Sequence, residues 1–201
     1  MNAETAKRRA TYEDVLAAPA HLVAEIINGV LHTHPRPRSR HASASNAMSY
    51  EVTGPFQKGL GGPGGWIFMD EPELHFGSDI VVPDLAGWRR KRLPAHPKTP
   101  YLEVAPDWVC EILSPSTATI DRGSKRHIYG AAGVNYMWIL DADAMLLEAY
   151  ALTAEKWLLV GTVEGGERVS LMPFEAISFP LDDLFPLDPP TPPKPELSAG
   201  D

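Results

Sequence analysis

Three acids and one lysine interrupt apolar stretches of this 201-residue chain: Glu25 in LVAEIINGV, Asp84 in DIVVPDLAGW, Glu111 in DWVCEILSP and Lys125 in DRGSKRHIYGAAG. A carboxylate placed where it must be buried needs a cation, an ion-pair partner or a raised pKa. Strand alternation puts Val109, Glu111 and Leu113 on one face, and Trp108, Cys110 and Ile112 on the other. Both faces are otherwise apolar, so the strand is expected to be covered on both sides. Either a buried ion pair or a metal would satisfy Glu111 there. Asp84 follows Pro83, which marks a bend or end of its strand; it is either a turn residue or a side chain facing the neighbouring strand. Asp121, Lys125 and Tyr129 recur at i, i+4 and i+8 on one helix face. Ile128 and Ala132 share that side, so the face is expected to turn inward rather than carry an exposed salt bridge. Glu25 is a second strand acid, solvent-facing or part of the same group. His41 opens the next helix and suits a structural role or a phosphate contact better than catalysis.

Taken together, these hard oxygen donors suit Mg²⁺ or Mn²⁺ rather than zinc. The single cysteine, Cys110, excludes an intrachain disulfide and any cysteine-based zinc cluster. HExxH, GxxxxGK[ST] and GxSxG are all absent, so zincin, P-loop and serine-hydrolase chemistry have no support. A glycosidase using two carboxylates would leave the lysine unexplained.

The elements that must position these residues can be read coarsely. TYEDVLAA predicts a short helix capped by Thr11 with Asp14 completing a capping box. Asn28-Gly29 between apolar runs predicts a tight hairpin. Residues 39–56 fit a helix with Ala44, Ala47, Met48 and Val52 near one stripe. Residues 66–77 and 78–88 are expected as two consecutive strands, 108–113 as a buried strand, and 121–133 as a helix closed by Gly133. Strands follow over 135–152 with a turn at Asp141–Asp143, then over 156–163 and 168–172. The order predicts a mixed α/β (α+β) domain with one central sheet. The expected organisation is a flexible N-terminus over 1–10, a single domain over 11–187 and a Pro-rich disordered tail over 188–201.

The net charge of −8 conceals an asymmetry. Residues 1–140 carry a net +1 and residues 141–201 a net −9. The first part holds two basic clusters: RPRSRH, with Arg36, Arg38 and Arg40, and RRKR, with Arg89, Arg90 and Arg92. They are either solvated loops or phosphate contacts. No secretory signal and no bilayer-spanning run is evident, which fits a cytoplasmic protein.

The pieces AEIINGVL, the basic linker with His41, VVPDLAGW, VCEILSPST and DRGSKRHIYGAAGVNYMWILD occur in this order. In that combination the chain resembles the Uma family of restriction endonucleases, a branch of the PD-(D/E)XK nuclease superfamily, over residues 11 to 187. The superfamily places its lysine two residues after the glutamate, a slot that here holds Leu113. The resemblance implies a restriction-endonuclease-like core and a metal-dependent endonuclease acting on DNA. It further implies Asp84 and Glu111 as metal ligands, Lys125 as the displaced lysine and Glu25 as a completing ligand. Asp121, Tyr129 and His41 match recurrent positions of less clear role. A nucleic-acid-binding module that keeps the fold without cleaving is the alternative, and the acidic C-terminal third is a candidate homodimer contact.

Overall fold

Asn28 and Gly29 have φ values of 54° and 78°. Positive φ at both central residues is the signature of the two-residue turn whose twist matches paired strands. It joins β1 (Leu22–Ile27) to β2 (Val30–Pro35) in the register Ile27↔Val30 and Glu25↔His32. The computed structural model describes residues 8–36, 39–189 and 191. The hairpin follows α1 (Tyr12–Leu16), where Asp14 Oδ2 accepts the Thr11 backbone N–H at 2.8 Å. After it, α2 (Ser39–Val52) buries Ala44, Met48 and Val52, the predicted stripe, and runs into a wider turn over Thr53–Gln57.

Two expected strands are each split. Residues 66–77 form β3 (Trp66–Asp70) and β4 (Leu74–Phe76), broken at Glu71-Pro72-Glu73. Residues 78–88 form β5 (Asp79–Val81) and β6 (Leu85–Arg89), broken at Val82-Pro83-Asp84. Proline lacks the N–H that a central strand needs, so both breaks fall where a ladder could not continue. The pieces then join different sheets, so a second sheet accompanies the expected central mixed one. Among the described residues, β2-β1-β5-β4 form an antiparallel four-stranded sheet. A six-stranded sheet has the order β10-β9-β8-β7-β6-β3. Its remaining strands are β7 (Trp108–Ile112), β8 (Tyr136–Asp141), β9 (Leu146–Thr153) and β10 (Lys156–Glu164). Only β7 and β8 run parallel, so the central sheet is mixed.

The β7–β8 crossover carries the helix. It is α3 (Ala118–Ile120), a π-helical turn over Asp121–Lys125, then α4 (Arg126–Ala131), and Gly133 follows at φ 79°. The helix therefore begins before the predicted Asp121 and widens where the candidate residues lie. The late 168–172 segment pairs only through β11 (Arg168–Val169), with β12 (Phe179–Pro180). Past residue 187, Asp188 and Thr191 are hydrogen-bonded to Arg40 and Asp182. The rest of the expected tail, and residues 1–7, lie outside the described residues.

Alternation along β7 divides the core. Trp108, Cys110 and Ile112 pack with α2, Phe174 and the C-terminal segment. Val109 packs with Tyr129, Ile128 and Met137, and Leu113 lies against this second cluster. All five residues of β7 are buried. Trp108 is the hub of the first cluster, with ring centroids 5.0 Å from Phe174, 5.5 Å from Trp138 and 6.0 Å from Phe68. Trp108→Ala should therefore cost about 3–5 kcal/mol. Urea unfolding measures it, and a loss below about 1 kcal/mol would mean that this aromatic cluster does not carry the core.

Candidate active site

Glu111 points from β7 toward the helix. Its Oε1 accepts the Tyr129 hydroxyl at 2.5 Å and lies 2.9 Å from Lys125 Nζ. Lys125 is met from two further sides, by Glu25 Oε1 of β1 at 3.1 Å and by Asp121 Oδ1 one turn back at 3.5 Å. The Val82 carbonyl, at the break after β5, accepts a bond from Lys125 at 3.1 Å, and the Val82 N–H donates to Glu25 Oε1 at 2.7 Å. Glu25, Glu111 and Lys125 are each only 2% exposed. The solvent-facing alternative for Glu25 and the exposed i,i+4 bridge for Lys125 are thereby corrected. Four oxygens surround an ammonium that has three N–H donors.

Asp84 stands beside this cage. Its Oδ2 accepts the Ile112 N–H at 2.7 Å, just past Glu111, and its Oδ1 lies 3.2 Å from His41 Nε2. Asp84 leaves the ladder at Pro83 and can thus reach across to β7, as its position in the sequence suggested. A cavity of about 40 Å³ is lined by Asp84, Glu111, Asp121, Lys125, His34 and His41, among others. Ser114 and Thr117 of the SPST segment also line it. Sequence reasoning missed His34, whose Nε2 lies 3.3 Å from Glu25 Oε2. The hairpin register held the signal: Val23 faces His34, so His34 shares the face of Glu25.

Among the described residues, no three His, Cys, Asp or Glu side chains group to hold a metal. Glu25 is held by Lys125, the Val82 N–H and His34, whereas Asp84 and Glu111 line the cavity together with Asp121 and Glu71. That donor set still fits Mg²⁺ or Mn²⁺, because Mg²⁺ characteristically takes one or two carboxylates and fills its shell with water and phosphate oxygens.

The arginines are more dispersed than their spacing suggested. Arg36 pairs with Glu71, a cavity-lining residue, at 2.8 Å. Arg40 turns to Asp188 at 2.5 Å and Asp143 at 3.5 Å, and Arg38 lies outside the described residues. Arg89 stacks over Trp66 with its guanidinium 4.1 Å from the ring centroid, and Arg92 pairs with Asp107 at 3.0 Å. Arg90 is exposed. This second cluster begins at the far end of β6 from Asp84, roughly 15 Å away at about 3.3 Å per residue.

Charge in the cage is unevenly shared. Burial disfavours the Glu25 anion, but Lys125, His34 and the Val82 N–H outweigh it and lower its pKa from 4.5 to about 2. Burial pushes Glu111 well above the carboxylate range, and Asp121, Asp84 and Glu25 add to this against Lys125. Burial alone would lower Lys125, yet Glu111 and Glu25 hold it well above its usual value, so it is an ammonium. Burial likewise raises Tyr129, which stays a hydrogen-bond donor. For His41 the neighbouring Asp84 outweighs burial and raises the pKa. Glu25, with its lowered folded pKa, contributes stability that is fully present above about pH 4.5 and is lost as pH falls through about 2. The contribution should be roughly 3 kcal/mol. Urea unfolding followed from pH 5 downward should show the wild type losing stability over this window and Glu25→Gln losing less. Parallel curves would contradict the cage.

The comparisons with known proteins bear on the fold and the family. A solved structure described as "a putative nuclease belonging to DUF820 from Anabaena variabilis ATCC 29413" matches with a TM-score of 0.71 at 21% identity. The match covers 88% of this chain and 98% of that one, and at such identity it speaks for the fold. No curated protein matches the chain. The family model "Uma2: Putative restriction endonuclease" matches residues 10–182, a span that takes in the hairpin, both carboxylate strands and the lysine helix. With nearly the whole folded chain matched, this protein belongs to the Uma2 family.

Proposed function

We propose that the protein is a metal-dependent endonuclease that hydrolyses DNA phosphodiester bonds. The observation that carries this reading is the pairing of Asp84 and Glu111 from adjacent strands on one small cavity, with Lys125 Nζ 2.9 Å from Glu111. The family and the fold support a nuclease. Mg²⁺ or Mn²⁺, when bound, would polarise a phosphoryl oxygen and acidify a bound water.

The chain's own residues divide the remaining work. Asp84 and Glu111 would hold the cation. Asp84 is oriented by the Ile112 N–H and His41, and Glu111 by Tyr129 and Lys125. Lys125 balances the acids and is the cation that would steady charge developing at phosphorus, with Asp121 and Glu25 fixing its place. The cavity admits little more than a water or one phosphate oxygen, so the substrate would be gripped by its backbone rather than by a base. Arg36, at the rim through Glu71, lies nearest for a further phosphate contact. A contribution from Arg89, Arg90 and Arg92 requires DNA that extends past the opposite end of β6.

A second reading has a specific observation in its favour. Four protein oxygens already occupy the three Lys125 donors, as they would in a DNA-binding module that keeps the fold without cleaving. Nicking of supercoiled plasmid separates the two. Wild-type protein should nick with Mn²⁺ or Mg²⁺ and stop when EDTA is added. Asp84→Asn should lose more than the roughly 10- to 100-fold that removal of a supporting residue costs. Salt-sensitive DNA binding without metal-dependent nicking would overturn the enzyme reading in favour of the binding module.

A further inference from the structure

His34 stands outside the set of residues that hold the cation or the lysine directly, yet it decides what Glu25 can do. Glu25 Oε1 is doubly occupied, by Lys125 and by the Val82 N–H. Oε2 is the remaining oxygen, and His34 Nε2, 3.3 Å away, is what engages it among the described residues. His34 and Glu111 line the same cavity. A carboxylate pinned at only one oxygen can swing about its last torsion, which is broad. Without His34, Oε2 would be released to turn toward a cation in the cavity that His34 and Val82 line.

We propose that His34 is a positioning residue that keeps Glu25 on Lys125 and away from the metal. It thereby keeps Glu25 from joining the carboxylates that line the cavity, Asp84 and Glu111 among them. The consequence is chemical as well as geometric. A further carboxylate on the cation would donate more charge and leave it a weaker acid toward water. It would also take from Lys125 one of the oxygens that hold the ammonium beside Glu111. Both changes would slow hydrolysis while making the metal bind more tightly. The position of His34 allows the role to be tested in isolation. The residue lies on β2, an edge strand of the four-stranded sheet, with its side chain 24% exposed. Replacing it removes little packing.

The proposal rests on the nuclease reading for its effect on turnover, but not for its effect on metal and lysine. The experiment compares wild type, His34→Ala and His34→Gln by three measurements on the full-length chain. Mn²⁺ affinity is read by calorimetry, plasmid nicking is read as turnover against KM, and acylation of Lys125 by an amine-reactive reagent is read by mass spectrometry. His34→Ala should bind Mn²⁺ more tightly and acylate faster at Lys125. Its turnover should fall roughly tenfold, the size of effect typical for loss of a group that orients a metal site. KM should be unchanged. His34→Gln keeps an N–H for Glu25 and should restore wild-type behaviour in all three. Unchanged or weaker Mn²⁺ binding together with unchanged Lys125 acylation in His34→Ala would overturn the proposal. Failure of the wild type to nick would overturn the nuclease reading instead, and the metal affinity and lysine acylation would still decide the role of His34.

Discussion

One buried ammonium organises this molecule. Lys125 joins β1 through Glu25, the β5–β6 break through the Val82 carbonyl, β7 through Glu111 and its own helix through Asp121. These pieces belong to two sheets and one crossover, and β1 meets β5 at a single pair, Ile26↔Ile80. The lysine and the acids around it thus tie the four-stranded sheet, the six-stranded sheet and the crossover helix together. Burying so many ionised groups is costly, and such a set is tolerated when every member finds a partner. Here each does; burial raises the pKa of Glu111, and the excess of acid over base around it adds to this.

The same excess defines the function the site can have. An acid group that carries more carboxylates than it has cations is prepared to accept another cation, provided the acids are not all spent. Glu25 is held on Lys125 and lies outside the cavity lining, whereas Asp84, Glu111 and Asp121 line the cavity. The surface works differently from the composition. The acidic C-terminal third reaches back to neutralise part of the basic half, through Asp143 and Asp188 on Arg40. Glu148 does the same for Arg122. Counting arginines therefore overstates the positive field that a phosphate would meet.

What could be read from the sequence follows from range. The hairpin, the buried β7 and the face shared by Asp121, Lys125 and Tyr129 rest on local turn chemistry and periodicity, and all three stand as expected. Family membership was legible too, because it rests on the order of several short motifs. The second sheet was not, since the proline breaks at Pro72 and Pro83 read equally well as irregularities within longer strands. The expected fate of Glu25 depended on Lys125, 100 positions away, and on His34, whose relevance appears only once the hairpin register is applied. The arginine partners were hidden for the same reason: Arg40 and Asp188 are 148 positions apart.

The proposed roles of the acids give Asp84 and Glu111 to the metal and Glu25 to the lysine. A crystal structure of the protein grown with Mn²⁺, with anomalous scattering recorded from the metal, tests them most directly. An anomalous peak held by the carboxylates of Asp84 and Glu111 is expected, with Glu25 still on Lys125 and His34. A peak held by Glu25, or a cavity that stays without metal at saturating Mn²⁺ while the Lys125 cage is intact, would contradict them.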